Sequence, residues 1–162
     1  HYAPLDTNTL VFMQEVRDMC SADKCVKYGR SWACPPAVGS LENISKRAAA
    51  YSGGIVVQTV EVMDDEFDLE TIRRCEAKHK SRFDTLVRQA KRIYGDILPM
   101  GAGGCTRCKK CTYPSKPCRF PGKVFPSMEA YGLLVGDVCL KNGLKYNYGV
   151  KTMTFTACIL VK

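Results

Sequence analysis

The stretch TMTFTACILVK, residues 152–162, contains two interleaved sets of side chains. One set occupies every second position and consists of Met153, Phe155, Ala157, Ile159 and Val161. Because successive side chains of a β-strand point to opposite faces of a sheet, this alternation predicts a strand. Residues 55–62, IVVQTVEV, predict a second strand by their content of β-branched residues.

The longest predicted helix lies between these two strands. It begins at the pair Asp64-Asp65 and continues to about Tyr94, because apolar residues recur there at steps of three or four. Gly95 is expected to end it.

Two shorter helices are predicted ahead of the residue 55–62 strand. The first is capped by Asp6 or Thr7 and brings Cys20 to its C-terminal end. The second is capped by Ser40 and closed by Gly53-Gly54.

A last helix is expected to begin at Pro126-Ser127 and to end at Asn142-Gly143. Together these elements predict an α+β fold, in which a small sheet packs with helices and carries two cysteine-rich metal-binding loops. With 162 residues, of which 46% are hydrophobic, the chain can bury one core, and we expect a single domain over residues 1–162.

The composition also limits the class of protein. No apolar run approaches the roughly 18–20 residues that span a bilayer, so no membrane partner is expected. The chain has ten cysteines in 162 residues, fewer than the roughly 8–10% typical of a short disulfide scaffold. We therefore expect reduced cysteines and a cytoplasmic location, in an environment poor in oxygen.

Residues 101–122, GAGGCTRCKKCTYPSKPCRFPG, form the second cysteine loop. Cys105, Cys108 and Cys111 have C-x2-C-x2-C spacing, and Cys118 follows six residues later. Three cysteines in such a run would crowd a single zinc ion, whereas they fit three corners of a [4Fe–4S] cubane, as in ferredoxins. The spacing favours [4Fe–4S] clusters, with zinc as the alternative.

The first cysteine loop comprises residues 20–36 and ends at Pro35-Pro36. The predicted metal ligands of the two loops are Cys20, Cys25, Cys34, Cys105, Cys108, Cys111 and Cys118. Two cubanes have eight irons, so seven thiols would leave one iron without a cysteine from the loops. Alternatively, four of the seven thiols hold one cubane and the others are spare.

An eighth ligand has candidates outside the loops. They are Cys75, Cys139 and Cys158, each of which lies in a predicted helix or strand with periodic apolar residues. A free cysteine at such a position is usually buried and acts as a small hydrophobic residue. Cys75 and His79 stand one helical turn apart, a spacing that can chelate a metal, but His79 continues an apolar stripe.

The net charge is +8, and no Asp or Glu occurs between Ile97 and Met128. Cations near thiolate-bound clusters offset their negative charge. They also suit an acidic redox partner protein or an anionic substrate. The residues predicted to bind either are Arg107, Lys109, Lys110 and Arg119. A nucleic-acid partner is disfavoured, because no aromatic-interleaved RNA motif or zinc-finger spacing accompanies the charge.

The motifs C-SADK-C-VKYGRSWA-CPP, GGCTRCKKCTYPSKPCRFP and PSMEAYG closely resemble the DUF2284 family of predicted metal-binding proteins. The resemblance covers about Cys20 to Gly132. It implies metal binding by the same seven cysteines and no established reaction.

Three functions fit these features. The first is a small electron carrier or redox accessory protein with two [4Fe–4S] clusters. The second is an enzyme whose open cluster iron acts as a Lewis acid on a small anionic substrate. The third is a domain stapled by a structural metal such as zinc, or a sensor. For the enzyme, the candidate aromatic and acidic residues are Tyr28, Trp32, Tyr113, Tyr131 and Glu129.

Overall fold

The computed structural model of the chain describes residues 1–22 and 25–162. Within these residues the chain forms an antiparallel sheet of four strands, in the order β1-β2-β4-β3, together with four α-helices. The predicted α+β class is confirmed. The strands are β1 (Tyr2–Leu5), β2 (Gly53–Val62), β3 (Ile97–Met100) and β4 (Thr152–Val161). The α-helices are α1 (Gln14–Ser21), α2 (Leu41–Ala48), α3 (Leu69–Tyr94) and α4 (Val135–Lys141).

Strand β4 lies in the middle of the sheet. It pairs along its whole length with β2, from Val62↔Thr152 to Gly53↔Val161, and its second half pairs with β3. Both strands predicted from the sequence are confirmed. The short strands β1 and β3 at the edges of the sheet were not predicted.

Both faces of β4 are covered, which explains why its side chains from Thr156 to Leu160 are all buried. On one face α3 contributes Phe83 and Val87, which pack with Ile159. On the other face Cys158 and Leu160 join a larger core that is built mainly from α2, α4 and the segment before α4.

The glycine pair Gly53-Gly54 was predicted to close the helix before it, but it begins β2 instead. Helix α2 starts after its predicted cap Ser40, whose hydroxyl accepts from the Asn43 N–H, and ends at Ala48. A Cβ atom at Gly54 would overlap the backbone carbonyl of Ile159. A glycine is therefore needed at residue 54 for the close approach of β2 to β4.

Two predicted helices begin later than expected. Asp6 caps a 3₁₀ helix at Thr7–Thr9, whereas α1 starts at Gln14 and has Cys20 in its last turn, as predicted. The long helix α3 starts at Leu69, because Asp68 accepts a hydrogen bond from the Thr71 N–H and caps it. Its end at Gly95 is confirmed.

The helix predicted after Pro126-Ser127 is interrupted. It divides into a 3₁₀ helix at Glu129–Tyr131 and helix α4, because Gly132 adopts a φ of 86°. A Cβ at this position would stand 2.6 Å from Leu41 Cδ1 and 2.8 Å from the Met13 carbonyl oxygen.

A third 3₁₀ helix, Pro121–Lys123, lies in the second cysteine loop. No helix among the described residues has the length and apolar character needed to cross a membrane.

The contact between β2 and β4 predicts a difference between two neighbouring glycines. Gly54→Ala should lower the free energy of unfolding by about 1–3 kcal/mol, because its methyl group would overlap Ile159 backbone that cannot easily move. Gly53→Ala should change it by less than about 0.5 kcal/mol, since the nearest atom to its Cβ would be 3.9 Å away. Urea unfolding of both variants at equal metal content measures this, and equal effects would contradict it.

Candidate metal centre

Helix α1 places the start of the first cysteine loop. Cys20 is in its last turn, and Arg17, one turn earlier, is buried and donates to the Gly39 carbonyl at 2.8 Å. Burial raises the pKa of Cys20, and so do the nearby Cys25 and Glu129, whereas Arg17 opposes the rise. The first two cysteines of the loop therefore lie close to each other and to one carboxylate.

Cys34 lies at the other end of this loop and is buried. Its pKa is raised by burial; Ser31 opposes the rise, and Cys25 and Cys20 add to it. The loop is closed beneath it by a hydrogen bond from the Gly29 N–H to the Pro35 carbonyl, 2.9 Å. Cys20, Cys25 and Cys34 are thus near enough to influence one another electrostatically. Residues 23 and 24 of this loop lie outside the described residues.

The beginning of the second cysteine loop is attached to α3. Lys80 Nζ donates to the Gly104 carbonyl at 2.6 Å and also pairs with Glu76. Arg107 pairs with Asp84 of the same helix and donates to the Lys123 carbonyl at 3.2 Å. The segment from residue 104 to residue 107 is thereby fixed against α3 through partly buried side chains of the helix.

The end of the second loop forms a closed turn of its own. The Thr112 hydroxyl donates to the Pro117 carbonyl at 2.9 Å, and the Phe120 N–H donates to Cys118 Sγ at 3.4 Å. Arg119 spans the turn by donating to the Lys110 carbonyl at 3.0 Å. These contacts keep Cys118 on the same turn as the preceding cysteine run.

The two cysteine loops meet at Trp32. Its indole N–H donates to the Lys116 carbonyl at 3.2 Å, and its ring packs edge-on against Tyr113 at a centroid distance of 4.9 Å. Nearby, a Cβ atom at Gly104 would lie 3.2 Å from Lys27 Cγ of the first loop. The sequence identified both aromatic residues but not their contact, because it joins loops about 80 residues apart.

Cys111 lies at this junction. Burial alone would raise its pKa, but the backbone N–H groups of Tyr113 and Trp32 and the Ser31 hydroxyl favour the thiolate, so the pKa lies below its usual value. Ser31 also acts on Cys34 in the same direction. Groups of both loops therefore favour the Cys111 thiolate, and the Ser31 hydroxyl acts on the pKa of one cysteine in each loop.

The three cysteines outside the loops belong to the core. Cys75, Cys139 and Cys158 are each 0% exposed. Cys75 Sγ is directed at the Thr59 and Met153 carbonyls, at 3.7 and 3.8 Å, and Cys139 Sγ accepts from Gln58. These positions agree with the predicted role of the three thiols as small hydrophobes.

His79 faces the sheet from α3 and is 3% exposed. Its Nδ1 is 3.1 Å from the Thr59 hydroxyl, while its Nε2 has no hydrogen-bond partner among the described residues. Burial, assisted by Lys80 and Arg82, lowers its pKa to about 4, so the ring is neutral at neutral pH. The Cys75 sulfur thus faces the Thr59 and Met153 carbonyls, whereas the His79 ring contacts the Thr59 hydroxyl.

A cleft of about 400 Å³ opens beside the first cysteine loop. Cys20, Cys25 and Glu129 line it together with apolar residues of α1 and α4. Its polar wall thus consists of two predicted metal ligands, Cys20 and Cys25, and of Glu129, which the sequence analysis named as the acidic candidate residue of an enzyme. The apolar walls were not predicted.

The seven predicted ligands thus lie on two adjoining loops, with Cys34 buried, Cys25 exposed and the other five partly exposed. In the described part of the chain, no three His, Cys, Asp or Glu side chains lie close enough together to hold one metal ion. The seven cysteines therefore stay predicted ligands. The four residues predicted to dock an acidic partner or bind an anionic substrate are exposed: Arg107, Lys109, Lys110 and Arg119. Arg107 pairs with Asp84 of α3, and Arg119 donates to the Lys110 carbonyl within the loop.

The surroundings of Cys111 predict its reactivity in reduced, metal-free protein. Cys111 and Cys20 are both partly exposed, but the pKa is lowered in the first and raised in the second. At pH 7 iodoacetamide should alkylate Cys111 faster than Cys20, by about threefold for each unit by which their pKa values differ. The lower pKa gives Cys111 a larger fraction of thiolate, and this effect outweighs the weaker nucleophilicity of that thiolate. Peptide mass spectrometry measures the rates.

The Ser31→Ala variant is the control for this prediction. Loss of the hydroxyl should slow alkylation of Cys111 and leave Cys20 unchanged, since Ser31 contributes to the pKa of the first and not of the second. Equal rates at the two cysteines in unmodified protein would contradict the assignment.

Comparison with known proteins identifies a family for the chain and no individual relative. No curated protein and no solved structure matches the chain. A family model with the description "Predicted metal-binding protein (DUF2284)" matches residues 3–161, essentially the whole chain. The chain therefore belongs to the DUF2284 family of predicted metal-binding proteins.

Proposed function

We propose that this protein binds two [4Fe–4S] clusters and acts as a small electron carrier or redox accessory protein in a reducing cytoplasm. The observation that carries the proposal is the contact between the two cysteine loops: the Trp32 indole N–H donates to the Lys116 carbonyl at 3.2 Å, and its ring packs on Tyr113, two residues after Cys111. The surroundings of Cys111 also lower its pKa, which favours a thiolate. Hydrogen-bond donors around cysteine sulfurs are a main means by which proteins adjust iron–sulfur centres.

The junction also supports an assignment of cysteines to two groups. Cys20 and Cys25 line one cleft, Cys34 belongs to the same loop, and Trp32 of that loop contacts the segment that follows Cys111. These four cysteines would hold one cluster. In two-cluster ferredoxins a cysteine of one run likewise ligates the other cluster. The remaining second-loop cysteines would hold the second cluster, and they are Cys105, Cys108 and Cys118.

The donor chemistry fits this cofactor. All seven predicted ligands are unpaired thiols on two contacting loops, and buried Arg17 is a cation close to Cys20. Bound clusters would supply single-electron transfer. The protein's own part is to offset their negative charge, to donate hydrogen bonds to sulfur, and to shield them from water with Trp32 and Tyr113. Metal loading is expected to bring the thiols of each group closer together.

The basic surface supports an acidic redox partner. Lys109 and Lys110 are exposed beside the cysteines of the second loop and have no carboxylate partner among the described residues. Arg107, by contrast, is neutralised by Asp84. Of the four predicted docking residues, the two lysines are therefore the strongest candidates for direct contact with the partner.

A second candidate function is an enzyme with an open cluster iron. The cleft lined by Cys20, Cys25 and Glu129 favours it, since a substrate could enter there next to the first group of cysteines. If that group lacked Cys111, one iron would be free to bind a substrate atom. A structural zinc site or a sensor is the third candidate, and metal analysis separates it from the other two.

Two clusters require about eight irons and about eight acid-labile sulfides per chain in anaerobically purified protein. Cys111→Ser should lose about half of both, because it removes a ligand from one cluster only. Cys75→Ala is the control and should keep the full content, since this thiol lies in the core. Zinc without sulfide would contradict the proposal.

The docking role of the two lysines is tested by reversing both charges. Lys109→Glu with Lys110→Glu should slow reduction by flavodoxin, an acidic electron donor, several-fold and weaken the salt dependence of the rate. The matched control reverses Lys91 and Arg92, which are exposed in the last turn of α3 and change the net charge equally. Equal slowing in both proteins would contradict docking at the second loop.

A further inference from the structure

A small cavity lies between α3 and the start of the second cysteine loop. Its volume is about 60 Å³, and its walls include His79, Lys123, Cys105 and the backbone of Gly101–Gly104. A water molecule takes about 30 Å³ in the liquid, so the cavity has room for about two waters or for one small ion. A ligand that binds there must therefore be small.

One wall of this cavity has a buried nitrogen without a partner. His79 is 3% exposed, and its Nε2 forms no hydrogen bond with any described residue. Buried polar atoms nearly always have a partner. The Nδ1 atom on the other side of the ring lies 3.1 Å from the hydroxyl of Thr59, which belongs to a separate groove. Because the two ring nitrogens point in opposite directions, Nε2 is directed toward the cavity.

The charged side chains of the cavity wall favour an anion. Three of them are cations, Lys80, Arg107 and Lys123, and one is a carboxylate, Asp84. Asp84 is paired with Arg107, and Lys80 is paired with Glu76, which lies outside the wall. Lys123 has no carboxylate partner in the described part of the chain. The wall thus has more positive than negative groups, and one of its cations is not neutralised.

The hydrogen-bonding groups of the wall show the same preference. The carbonyls of Gly101, Gly104 and Lys123 each accept a hydrogen bond from another part of the protein, at 3.2, 2.6 and 3.2 Å. The backbone N–H groups of Ala102 and Gly103, by contrast, have no acceptor among residues 1–22 and 25–162. The wall therefore has donors to offer to a ligand that supplies acceptors.

We propose that this cavity binds a small carboxylate, or another oxyanion of similar size, between His79 Nε2 and Lys123. The Thr59 hydroxyl donates to Nδ1, so the single proton of the neutral ring is on Nε2 and is donated to the anion. Of the four residues predicted to bind an anionic substrate, Arg107 lines the cavity. Cys105 lines it too, so the anion lies next to a predicted metal ligand. The inference does not depend on which metal the loops hold.

The test uses the full chain, purified without oxygen and labelled with ¹⁵N at histidine only. The chain has two histidines, and His1 is stacked on Tyr148 at 4.4 Å, which makes it an internal control. Long-range ¹H–¹⁵N NMR spectra should show His79 protonated at Nε2. Sodium formate should shift this Nε2 resonance along a saturating curve and leave His1 unchanged. Sodium benzenesulfonate at the same ionic strength should have no effect, because its anion is too large for the cavity.

Two lysine variants assign the binding to the cavity. Lys123→Gln should weaken formate binding by about tenfold, because it removes the cation that has no partner. Lys116→Gln is the matched control: Lys116 is exposed in the same loop and does not line the cavity, so this variant should keep its affinity within about twofold.

Three results would overturn the proposal. A proton on Nδ1 of His79 would make Nε2 an acceptor, which cannot bind an anion. An Nε2 resonance that formate does not move would mean that the cavity holds water only. Equal weakening in the two lysine variants would show a general effect of net charge instead of binding at this cavity.

Discussion

The pairing of β2 with β4 is the constraint on which the rest of the structure depends. It requires Gly54 against the backbone of Ile159, and it forms a sheet that is covered on both faces. The face that packs against α3 positions Lys80 and Asp84, which hold the second cysteine loop. The opposite face supports the segment around Glu129–Tyr131, and α1, which carries Cys20, contacts that segment. The two cysteine loops are therefore supported from opposite faces of one sheet.

Between these supports the loops contact each other through a few side chains. Trp32 and Tyr113 bring the loop backbones together, and the Ser31 hydroxyl favours the thiolate of both Cys34 and Cys111. Burial raises the pKa values of Cys20 and Cys34, and repulsion from neighbouring thiolates adds to the rise. Bound metal would relieve that repulsion, so occupancy of the loops and their packing are expected to be coupled. The fold thus provides a rigid base, and the metal group would complete the loop structure above it.

The sequence predicted the parts of this structure that have a regular pattern. Alternation identified β4, and the three-to-four spacing identified α3, because each pattern extends over ten residues or more. Strands β1 and β3 escaped prediction, since each has four residues and contains a proline, and only pairing with longer neighbours makes them strands. The interruption at Gly132 also depends on distant groups, namely Leu41 and Met13. For the site, cysteine spacing gave the candidate ligands, but the contact of the two loops at Trp32 and Tyr113 joins segments far apart in the chain.

The proposed function is tested most directly by a crystal structure of the anaerobically purified protein with anomalous diffraction data at the iron edge. We expect two separate iron–sulfur groups, one of them bonded to Cys34 of the first loop and Cys111 of the second. Two groups that each draw all their cysteine ligands from a single loop would contradict the shared centre. A single zinc ion in their place would contradict the redox function itself.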